Sequence, residues 1–254
     1  MFGPWTAFIA LAGTLLPLLW AQRWITRHLQ VLGMRWFYDP DIALLLYYVV
    51  VMPGVVIHEL SHWLMARLLG VRVGRLQLMP QRGKTSGPRR SKIVLGSVGV
   101  ARTDPVRTTL IGMAPLLGGV TVILLIGNSV LGVSELATRL SGQGAAGLPA
   151  ALGELLRVPD FWLWLYLIFA VSNAMLPSAT DVAIMRPVLV FLGLAAAILF
   201  IAGGLPSLSP AVSDGLSAIA GYLASAFGLT LAVDAFFMVV IGVLELGTMW
   251  IKRQ

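Results

Sequence analysis

Between Asp41 and His58 the chain runs for sixteen residues without a charge, and apolar runs of this kind recur along its length. Such runs leave few folds open: in a bilayer a helix of ~20 apolar residues crosses the ~30 Å hydrocarbon core while satisfying its own backbone. With 58% hydrophobic and only 11% charged residues, the composition lies outside the range of soluble domains. The expectation is an all-α polytopic membrane protein, one domain over 1–254. The net charge of +7 would suggest a nucleic-acid partner in a soluble domain. Here most of the Lys and Arg fall in one inter-span segment, where topology and anionic lipid account for them, so no nucleic acid is expected. With no cysteine, disulfides and thiolate metal sites are excluded, leaving His and carboxylate as ligands.

Six spans are expected. The first, about 5–20, lacks the basic start and cleavage site of a signal peptide. Residues 21–38, with Arg23, Trp24, Arg27, His28, Arg35 and Trp36, suit a helix lying in the interface. Asp39-Pro40 is a cap-then-proline start for the second span, which Pro53-Gly54 interrupts before it ends near Gly70. Residues 71–104 read either as a disordered basic loop or as a short membrane-edge β-hairpin containing Gly96, Ser97, Val98, Gly99 and Val100. Asp104-Pro105 opens the third span, about 107–130, whose Gly112, Ala114, Gly118 and Gly119 allow close helix packing. A loop over 131–158 follows, with 149–157 on the surface. The remaining spans are expected at 161–185, 188–205 and 226–251, with a turn region at 203–215.

Inside the second span stands His58-Glu59-Leu60-Ser61-His62. On a helix, positions i and i+4 share a face, so both imidazoles can reach one metal ion while Glu59 reaches its bound water. Ionisable groups within a span are costly and point to function. If six spans alternate, one side collects thirteen Lys/Arg and the other five. The basic side is then cytoplasmic and holds both termini. His62 lies five residues before Arg67, and Asp181 five before Arg186. At ~1.5 Å per residue each is roughly 7 Å inside that boundary, which makes Asp181 the candidate third ligand. Asp234 and Glu245 also lie within spans, and read as interhelical hydrogen-bond partners, with a ligand role open to either.

These residues resemble the site-2 protease family of intramembrane zinc metallopeptidases. The resemblance rests on the pentad with Ala66 and Gly70, on the Gly112–Gly119 helix, and on Ser172-Asn173-Ala174-Met175-Leu176-Pro177-Ser178-Ala179-Thr180-Asp181. The last stretch is similar to the family's Asn/Pro/Asp segment, although Val182 follows the Asp where many members carry Gly. The resemblance covers about 40–187 and implies one Zn²⁺ held by His58, His62 and Asp181, with Glu59 as catalytic base and acid. It implies that Asn173, Pro177 and the Gly96–Gly99 strand hold an unwound substrate, Asn173 either donating a hydrogen bond to it or capping the helix. The substrate implied is another membrane protein, cut in or near its transmembrane segment close to the cytoplasmic face of the cell membrane. A zinc-binding membrane protein that does not cut, such as a transporter, is the alternative.

Overall fold

The computed structural model describes residues 6–79, 81–83, 92–94, 96–176, 181–183, 186, 190–191 and 210–251. Its helices are α1 (Thr6–Phe37), α2 (Pro40–Leu68), α3 (Pro105–Leu125), α4 (Val133–Gln143), α5 (Leu148–Leu155), α6 (Phe161–Met175) and α7 (Pro210–Ile251). Four short strands, β1 (Val73–Gln77), β2 (Gln81–Gly83), β3 (Lys92–Val94) and β4 (Ser97–Val100), lie between α2 and α3. Among the described residues four helices are long and apolar enough to cross a membrane, while α6 is a shorter apolar helix.

Both cap-then-proline signals start helices. Asp39 accepts hydrogen bonds from the backbone N–H groups of Asp41 and Ile42. Asp104 accepts one from Arg107 at 3.0 Å, and that bond holds its carboxyl below the usual carboxylate range. At its other end α2 closes on Gly70, whose φ of +69° belongs to the left-handed region. There Val71 donates back to the Ala66 carbonyl, an arrangement that a side chain at position 70 would strain. Where α2 crosses α6, Gly54 packs directly on the Ala170 carbonyl and the Ala174 methyl group. A Cβ there would collide with both, so this glycine sets how closely the two helices approach.

The structure departs from the expected layout in three places. First, α1 is one helix of 32 residues, not a short span followed by an interfacial helix. Its buried stripe of Leu18, Gln22, Ile25, Leu29 and Leu32 keeps helical spacing straight through the expected break. Second, α6 stops at Met175, with Leu176 extended at φ −71°, ψ 141°. Leu176 precedes a proline, which disfavours the helical conformation. Third, α7 begins at Pro210 and absorbs part of the expected turn region. The expected span over 188–205 lies outside the described residues, apart from 190–191.

The described residues of 71–104 include paired strands, in line with the hairpin expectation. Strands β1 and β4 pair antiparallel, with Val73 opposite Val100 and Gln77 opposite Ser97, and β2 pairs β3 in the same sense. The hairpin starts beside Ala66 and folds back along α2, so that Gly96 touches the Glu59 side chain and the Leu78 carbonyl accepts from the Tyr48 hydroxyl. Strand backbone at that depth is tolerated only against protein or water, and the long face of α2 supplies the first.

Helix direction also differs from expectation. Thr14 packs beside Gly228, and His28 bonds Glu245 at 3.0 Å, so residue numbers rise together and α1 and α7 run parallel. Six alternating spans would make the first and last antiparallel. The start of α1 and the end of α7 therefore lie at opposite ends of the bundle. The charge asymmetry weakens with it: moving Lys252 and Arg253 to the other side turns thirteen against five into eleven against seven. Reporter fusions at the two termini should accordingly mark opposite faces of the membrane; the same face for both would contradict this helix order.

Candidate metal centre

The pentad lies in the second half of α2, and both of its imidazoles are oriented by backbone carbonyls. His58 Nδ1 bonds the Ala174 carbonyl at 2.6 Å, and His62 Nδ1 bonds the Ile111 carbonyl at 2.7 Å. Since a carbonyl only accepts, each Nδ1 carries a proton, which leaves Nε2 as the nitrogen available to a metal.

Both carbonyls are free to accept for a reason visible in the chain. Ile111 would ordinarily bond the N–H four residues on, but that residue is Pro115, inside α3, which has none. Ala174 lies in the last turn of α6, whose carbonyls have no intrahelical donor. The two imidazoles thus take places that backbone N–H groups would otherwise fill.

The freed Nε2 atoms converge on Asp181. His58 Nε2 lies 3.7 Å from Asp181 Oδ2 and His62 Nε2 lies 3.4 Å from Oδ1. The ligand atoms all fall within 4.8 Å of one another, a group able to hold a metal ion. Tetrahedral ligands at ~2.0–2.1 Å from zinc stand roughly 3.3 Å apart. The two imidazole–carboxylate spacings match that figure, the widest ligand pair, at up to 4.8 Å, has to draw in around an ion, and the donor set of two imidazoles and one carboxylate suits zinc. Asp181 stands in a described helical stretch at residues 181–183, beyond the end of α6 at Met175.

Glu59 is buried on the same turn, its carboxyl against the Gly96 backbone. A side chain at position 96 would meet Glu59 Cγ and Oε1 at 2.9 Å. Among the described residues Gly96 brings the hairpin to the site, while Ser97, Val98 and Gly99 continue from it into β4 and its pairing with β1. Behind the pentad, a Cβ on Gly118 would collide with Ser61 and one on Gly119 with Met175, so α3 also packs closely here.

Asn173, expected either to donate to substrate or to cap the helix, has its amide nitrogen engaged within the bundle. Its Nδ2 donates to the Phe169 carbonyl at 2.9 Å and to Asp234 Oδ1 at 3.1 Å, while its Oδ1 is buried with no partner among the described residues. Pro177 lies outside the described residues. Asp234 and Glu245 stand apart from the metal group, as interhelical partners: Asp234 bonds Ser172 and Asn173, and Glu245 bonds His28. The carbonyl partners of the two histidines escaped sequence reasoning, since acceptors carry no residue signature, although Pro115 four residues after Ile111 was the available signal.

No family model, curated protein or solved structure matches this chain.

Replacing Pro115 by Ala restores an N–H that competes for the Ile111 carbonyl. Interior proline costs a helix ~3 kcal/mol, so Pro115→Ala should raise or preserve thermal stability while weakening metal binding by about tenfold or more. Unchanged metal affinity in the stable variant would count against the orientation argument.

Proposed function

We propose that the chain is an intramembrane zinc endopeptidase of the site-2 protease type, hydrolysing peptide bonds in or near the transmembrane segments of other membrane proteins. The observation that carries this reading is the convergence of His58 Nε2, His62 Nε2 and the Asp181 carboxylate beside a buried Glu59. Three protein ligands leave a fourth position for water or substrate, as catalytic zinc sites do. A zinc ion bound there would supply Lewis acidity, bringing the pKa of a bound water toward ~7 and polarising a carbonyl.

The remaining roles fall to the chain. Glu59 takes a proton from the attacking water and returns it to the leaving amine. Its carboxyl faces the Gly96 backbone, so the residue that handles protons stands next to a strand. A peptide in a helix hides its carbonyls, so the substrate must be drawn out before attack, and the β1–β4 pair offers backbone for an extended segment to bond.

Zinc transport is the alternative from another class. It needs acidic or imidazole groups at successive depths along a path. The described groups away from the centre, Asp234 and His28 with Glu245, are engaged with neighbouring helices instead.

Glu59→Gln keeps the ligand set and removes the base. In proteoliposomes with a single-pass membrane protein substrate, it should retain bound zinc and lose cleavage by about 10²–10⁴-fold. Cleavage at the wild-type rate would reject the peptidase assignment, and zinc accumulation inside sealed vesicles would favour transport.

A further inference from the structure

Helix α6 ends in a turn that three other helices hold at successive residues. Gln22 of α1 donates from Nε2 to the Ser172 carbonyl at 2.6 Å. Asp234 of α7 accepts through Oδ1 from Ser172 Oγ and Asn173 Nδ2, each at 3.1 Å. His58 of α2 donates to the carbonyl of the next residue, Ala174. Ser172 and Asp234 are fully buried and Gln22 is nearly so. A carboxylate placed in the interior of a membrane bundle is expensive, and a hydroxyl or amide would serve for ordinary helix association.

We propose that Asp234 and Gln22 are positioning residues for the metal centre, acting through the last turn of α6. This rests on the metal reading of His58, His62 and Asp181. The turn carries the carbonyl that aims His58 and leads into the segment that delivers Asp181. Two of its carbonyls without an intrahelical donor, at Ser172 and Ala174, receive side-chain donors from different helices, which fixes its position from both sides. Asp234 also fixes the Asn173 amide: with Nδ2 toward the carboxylate, the amide cannot flip without bringing two oxygens together. Hence Asp234 sets the rotation of the turn and Gln22 sets its approach to α1. Loss of either lets the Ala174 carbonyl drift and loosens the imidazole it holds.

The test is cobalt titration of the purified full-length protein in detergent, read by the visible absorption of the bound ion, with thermal unfolding alongside. Wild type should bind one Co²⁺ with the bands of a four-coordinate N/O site. Asp234→Leu should weaken binding about tenfold or more and shift the bands, as loss of an outer support does. Asp234→Asn keeps an oxygen acceptor and should stay within about threefold of wild type. Glu245→Leu removes a buried carboxylate from the same helix away from the centre, and should leave affinity and bands unchanged even if stability falls. A folded Asp234→Leu protein with wild-type affinity and bands overturns the proposal, as does an equal loss in Glu245→Leu. If Asp234→Leu does not fold, Gln22→Leu decides: a loss of about tenfold supports the proposal and unchanged binding overturns it. Failure of wild type to bind Co²⁺ defeats the metal reading itself, and this inference with it.

Discussion

Two hydrogen bonds from imidazole to backbone organise the centre of this molecule. A histidine on a helix can rotate about χ1 and χ2, and which of its two nitrogens carries the proton is set by the bond it makes. The Ala174 and Ile111 carbonyls engage Nδ1 in each case, leaving both Nε2 atoms aimed at one carboxylate. Each bond also ties α2 to another helix, α6 or α3. The same contacts therefore orient the ligands and fix the packing around them. Neither carbonyl would be free in an unbroken helix: one is released by Pro115 and the other by the end of α6. Irregularity in the backbone is thus what makes the regular geometry of the ligands possible.

Around that centre, close packing does the work that hydrophobic burial does in water. Lipid is as apolar as leucine, so helices in a bilayer associate through shape and polar bonds. Gly54 lets α2 rest on α6, Gly118 and Gly119 bring α3 in, and Phe169 and Phe237, with ring centroids 4.1 Å apart, join α6 to α7. The hairpin then closes one side of α2. Its Gly96 lies against Glu59, which brings an extended backbone beside a buried carboxylate at a depth where helix is the rule.

Much of this was legible in the residues. The pentad, the Asp39 and Asp104 caps and the glycine-rich third span follow from local spacing; Asp181 does meet the two histidines, although the charge count that set its depth assumed an alternation of spans that α1 and α7 do not keep. What failed depended on long-range direction. Charge counting presumed that spans alternate from first to last, and nothing local distinguishes a helix parallel to α1 from one antiparallel to it. The contacts of Thr14 with Gly228 and of His28 with Glu245 decide that only in the folded chain. Asn173 is similar: its type announced a polar role, but only Asp234, sixty-one residues away, determines that its oxygen and not its nitrogen is left over.

The central claim is that His58, His62 and Asp181 hold one zinc ion in a site open at a fourth position. X-ray absorption at the zinc edge, on purified protein with its metal content measured, tests it most directly. One zinc per chain is expected, with two imidazole nitrogens and two oxygen ligands at ~2.0–2.2 Å, one oxygen being lost in Asp181→Ala. A chain that holds no zinc, or whose zinc shell is unchanged by Asp181→Ala, would contradict it.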